Sequence, residues 1–121
     1  MKRLLSLIAA VCLAVCVLVS GPAKADFQIG NDLYENCRIE KADFDTGVCF
    51  GYLNAMADVL SKSSDRGGYL GWRACLSPGI MGKQIYDVAV QFLKNNPSQR
   101  HLSASLLVAH AFSDAWPCPK K

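Results

Sequence analysis

The chain has 121 residues, 51% of them hydrophobic and 19% charged, with a formal net charge of +3. That length holds a single small domain. The positive excess lies at the front: without Lys2, Arg3 and Lys24, ten basic and ten acidic side chains remain, which argues against a basic patch for nucleic acid or a polybasic lipid anchor.

Residues 1–25 carry the pattern of an export signal. Met1-Lys2-Arg3 is a short positive start, and residues 4–19 are apolar except for Ser6. Ser20-Gly21-Pro22 breaks a helix, and Ala23 and Ala25 are small residues placed for cleavage before Asp26. The expectation is a signal peptide cleaved after Ala25 and a mature domain over 26–121. The apolar run is short for a membrane span, which needs about 20 residues. An uncleaved anchor and a lipoprotein are the alternatives; the latter needs a small residue where Val15 precedes Cys16.

The remainder reads as helical. Apolar residues recur at three- and four-residue steps, and strand-like alternation is lacking. A short first helix is expected near 31–38, with Asn31 or Asp32 as cap and Leu33, Tyr34 and Cys37 inward. A second is expected over 45–61, where Val48, Tyr52, Ala55, Met56 and Val59 recur at three- and four-residue steps, flanked by Cys49, Leu53 and Leu60. Gly47, Gly51 and Ala55 lie four apart, a smooth strip that favours close approach of another backbone over mere tolerance of glycine at about 1 kcal/mol each. A third is expected between residues 77 and 95, with Met81, Ile85, Val88 and Phe92 as its stripe, widened by Ala89 and Leu93. Ser77-Pro78 or Gly82 starts it, and Asn95-Asn96-Pro97 ends it. The fourth, over 102–116, confines Ser103, His110, Ser113 and Asp114 to one narrow strip and is expected to be the most buried. Residues 40–43 and 62–74 remain irregular.

Six cysteines are present, of which Cys37, Cys49, Cys75 and Cys118 lie beyond residue 25. An even number in a small exported domain points to two disulfides. Zinc spacing and the Cys-x-x-Cys redox pair are both lacking. Four cysteines allow three pairings. Cys37–Cys49 is favoured because it ties the first helix to the start of the second, and Cys75–Cys118 because it joins the entrance of the third helix to the exit of the fourth. The fold class expected is therefore all-α, a small disulfide-stapled bundle of about four helices.

Chemistry is sparse. His110 and Asp114 are four apart and share a helix face, as an acid–base pair or as a solvated polar stripe. Gly67-Gly68 lacks the Lys and Ser/Thr of a phosphate-cradling loop. The better lead is the linker with Arg66, Tyr69, Leu70, Trp72 and Arg73, residue types that dominate interface energetics. Tyr69 and Trp72 either meet a partner or fold back on the helices. Asn96, Ser98 and Arg100 form a weaker second candidate.

Several landmarks together resemble the Rap/Tai family of periplasmic immunity proteins. They are Cys49-Phe50-Gly51-Tyr52, Cys75-Leu76-Ser77-Pro78, Gln84 through Val88 leading to Phe92-Leu93 and Asn96-Pro97, and the closing Ala115-Trp116-Pro117-Cys118. The chain departs from the pattern at Trp116, where phenylalanine is usual, and at Gly79-Ile80-Met81-Gly82, which lacks a threonine. The linker over 62–74 has no counterpart, so no contact residue carries across. The resemblance implies a helical, disulfide-containing, often dimeric protein that blocks a peptidoglycan amidase effector of a type VI secretion system. It implies no catalysis, no cofactor and no metal. A small acid-type periplasmic chaperone is the alternative, and an enzyme using His110 and Asp114 a third.

Overall fold

The computed structural model describes residues 27–38, 44–62 and 68–120, together with Met1. The expected export signal, the link at 40–43 and Arg66 lie outside the described residues. Four helices follow one another: α1 (Gly30–Asn36), α2 (Phe44–Lys62), α3 (Gly82–Asn95) and α4 (Ala104–Ala115). A single 3₁₀ turn, Pro97–Gln99, joins α3 to α4. The described residues contain no strand, only two isolated bridges, so the fold is an all-α bundle stapled by disulfides.

Each helix begins and ends for a local reason. In α1, the Asp32 carboxylate accepts the Ile29 N–H at 3.4 Å, satisfying a donor that the first turn leaves free. Neither Asn31 nor Asp32 is the N-cap; that position is Ile29, in extended conformation. In α3 the side chain of Gln84 reaches back to the Met81 N–H at 2.8 Å, which fixes the start at Gly82 rather than at Ser77. The Ser77-Pro78 segment turns instead: Gly79 takes a φ of +96°, and the Ile80 N–H bonds the Ser77 carbonyl. At the far end, Asn96 Nδ2 donates to the Phe92 carbonyl at 2.8 Å and Arg100 Nε to the Leu93 carbonyl at 2.6 Å. The Phe92 carbonyl also accepts the Asn96 backbone N–H, whereas Arg100 satisfies a carbonyl near the helix end, and its charge complements the helix dipole.

The core draws on every helix. Leu33 of α1, Cys49, Leu53, Met56, Ala57 and Leu60 of α2, and Ile85, Ala89 and Leu93 of α3 surround α4. Helix α4 buries Ala104, Leu107, Val108, Ala109, Ala111 and Phe112, so it is the most enclosed of the four. Its alanines let neighbouring backbones come close. The chain before α1 laps against the chain before α4: Gly30 and Asn31 donate to the carbonyls of Leu102 and Arg100, and Ala104 donates to Gln28. Glycine is required at 30, since a Cβ there would sit 2.9 Å from the Arg100 backbone.

Of the two neighbouring stripes of α2, the flanking one is turned inward. Val59 is 45% exposed and Ala55 also faces outward, while Cys49, Leu53 and Leu60 point in. Adjacent residues differ by about 100° around a helix, so the buried stripe is the one through Val48, Tyr52 and Val59 moved on by a residue. The Gly47–Gly51 strip consequently faces outward, and a Cβ at either glycine would meet nothing within 4 Å. The strip does not pack inside this chain.

Two disulfides close the frame. Cys37 is bonded to Cys49 across 12 residues, and Cys75 to Cys118 across 43. The first fastens the exit of α1 to the entrance of α2. The second fastens the segment before α3 to the chain after α4, where the Cys75 N–H also donates to the Trp116 carbonyl at 2.8 Å. Tyr86 of α3 braces the first staple from outside: its hydroxyl donates to the Cys37 carbonyl at 2.5 Å and its ring stacks on Phe50 at 5.1 Å.

Candidate partner-binding surface

The linker between α2 and α3 contains a tight hairpin. The Tyr69 N–H donates to the Trp72 carbonyl and the Trp72 N–H to the Tyr69 carbonyl, both at 2.9 Å. Only Leu70 and Gly71 lie between them, with φ of +49° and +87°. Positive φ at both central residues is the mark of a type I′ turn, whose right-handed twist suits a two-residue loop. Gly68, at φ +74°, lets the chain enter; a Cβ there would run into the Trp72 carbonyl. Leucine in the left-handed region costs roughly 1–2 kcal/mol. It is the single non-glycine residue among those described to take a positive φ.

Contacts to α4 hold this turn in place. The Tyr69 hydroxyl lies 2.9 Å from Ser105 Oγ, which lies 2.9 Å from Ser103 Oγ. The Trp72 ring stacks on His110 at 4.7 Å and 26°. The other side of that imidazole meets the edge of Phe92 at 5.1 Å, and its Nε2 pairs with Asp114 Oδ2 at 3.2 Å. The His110–Asp114 pair thus seats a tryptophan. A hollow of about 550 Å³ between α3 and α4 brings Asp87, Gln91, Asn95 and Asp114 together but includes no hydroxyl or thiol nucleophile. Among the described residues, no group of three or more metal-ligating side chains is assembled.

The sequence-derived candidates therefore separate. Tyr69 and Trp72 fold back as half-buried struts against the core. Arg73 is half-buried, its Nε enclosed without a hydrogen-bond partner. Leu70 alone stands out, 69% exposed at the tip. In the second candidate group, Asn96 and Arg100 serve the end of α3, and the Arg100 guanidinium also lies 3.8 Å over the Tyr34 ring. Ser98 is exposed in the 3₁₀ turn. The structure adds two residues that were not singled out: Leu102 and Leu106, both exposed, flank the serines that hold Tyr69. The sequence did show them, as apolar residues in α4 (Leu106) and just before it (Leu102).

The described helices and both staples coincide with a known pattern. A family model for Rap1a immunity proteins matches residues 29–118. The chain belongs to that family. The match starts at Ile29, whose bridge to Ser103 closes the lap before α1, and ends at Cys118, the last cysteine of the second staple. The Rap1a match thus takes in the whole helical frame and the hairpin. Comparison with curated proteins returned no match.

Proposed function

We propose that this chain is an exported immunity protein that binds and occludes a peptidoglycan amidase effector of a type VI secretion system. The observation that carries the reading is the Rap1a family match across residues 29–118. Two disulfides in so small a domain suit an oxidising compartment such as the periplasm. Residues 1–25 act as the signal that delivers the domain there and are removed after Ala25. Among the described residues, no helix is long and apolar enough to cross a membrane.

The mechanism is steric. A rigid frame presents a fixed hairpin, and the partner's cleft is covered without chemistry on the immunity side. No cofactor or metal takes part. Rigidity matters because ordering a loop on binding costs affinity. A homodimer on the outer face of α2, where Phe44 is exposed beside Gly47 and Gly51, is compatible with this role. Co-expression tests the reading. Cells carrying the cognate amidase in the periplasm should survive when this chain is exported with it, and lyse when residues 1–25 are deleted. Lysis in both cases would refute the proposal.

A further inference from the structure

Leu70 is held where leucine is poorly suited. Its backbone is left-handed and its side chain is 69% exposed. Asparagine, aspartate or glycine would meet the turn with less strain. The surroundings are arranged to keep the tip still. Tyr69 is hydrogen-bonded to Ser105, Trp72 is stacked on His110, and Cys75, just beyond, is bonded to Cys118. Strain at an exposed residue braced from several sides points to use of that residue by a ligand. Leu102 and Leu106, which flank the same serines in sequence, are also exposed.

We infer that Leu70 is the anchor of the partner interface, a leucine side chain seated in an apolar socket of the effector, with Leu102 and Leu106 at the margin of the contact. The inference rests on the immunity reading and specifies its contact. A preorganised apolar side chain on a rigid turn loses little entropy on docking, and a few such residues carry most of the energy of an interface. The socket belongs to a protein, since the tip offers a single shaped apolar group and too little area to hold a lipid surface.

The test exploits opposite signs. Asparagine is the better turn residue, so Leu70→Asn should leave the melting temperature unchanged or raised while weakening binding to the purified cognate amidase at least tenfold. Leu70→Met, which keeps an apolar side chain of similar volume, should bind within about threefold of the parent chain. Equal affinity of Leu70→Asn and the parent would overturn the inference, as would a fall in melting temperature with unchanged affinity. Conversion of a parent dimer into a monomer by Leu70→Asn, seen by sedimentation, would also overturn it, because the socket would then lie on a second copy. Failure of the parent chain itself to bind would instead refute the immunity reading on which the inference stands.

Discussion

Tyr86 shows how much a single side chain contributes here. Its hydroxyl satisfies the carbonyl of Cys37, where α1 ends and the first staple begins. Burial raises its pKa above the ordinary value of 10.0, the neighbouring Asp87 carboxylate raises it further, and Lys83 opposes the shift. The folded state therefore holds this proton more tightly than the unfolded chain. That contribution is complete below pH 10 and is lost as pH rises through the raised value. Tyr86→Phe should cost about 0.5–1.5 kcal/mol near neutrality, and the deficit should shrink in strongly alkaline solution. Urea unfolding of both proteins at pH 8 and pH 11 measures it; a deficit that grows with pH would contradict the assignment. The sequence marked Tyr86 only as one residue of the landmark running from Gln84 through Val88. Its bond spans 49 residues to a carbonyl, and carbonyls carry no sequence signal.

At the scale of elements, the helices were legible because each buries a continuous face and is bounded by proline, glycine or a capping side chain. The cysteine pairing followed from the helix ends that each bond connects. The facing of α2 was not legible. Val48, Tyr52 and Val59 form one stripe at helical spacing, Cys49, Leu53 and Leu60 another, and composition does not choose between them. The bond from Cys49 to Cys37 turns the second stripe inward. The hairpin was also hidden, since its turn lacks the Asn-Gly or Asp-Gly that announces one. The two staples are unequal. The chain-entropy model assigns about 4 kcal/mol to a loop the size of that closed by Cys75–Cys118 and about 3 kcal/mol to that closed by Cys37–Cys49. Replacing Cys75 and Cys118 by alanine should lower stability by several kcal/mol, and it should also free the hairpin, whose last paired residue, Trp72, lies three residues before Cys75. Thermal unfolding and hydrogen exchange at Tyr69 and Trp72 report the two effects. Unchanged exchange would show that contacts to α4 suffice.

As a whole, the molecule separates a frame from a presenting surface. The buried set among the described residues is entirely apolar, with no buried polar or charged residue. Acid unfolding in many proteins arises from charged groups that depend on burial or pairing, and the ion pairs here are surface pairs of small worth. The domain should thus keep its near-ultraviolet circular dichroism at pH 3. Loss of that signal with retained helix would instead suit the acid-activated chaperone.

The central claim is occlusion of an amidase, and inhibition at defined stoichiometry tests it most directly. Purified peptidoglycan is incubated with the cognate amidase and rising amounts of this chain, lacking residues 1–25, while released fragments are counted. The account predicts that hydrolysis falls linearly and stops once every effector molecule is bound. Undiminished hydrolysis with the chain in large excess would contradict it.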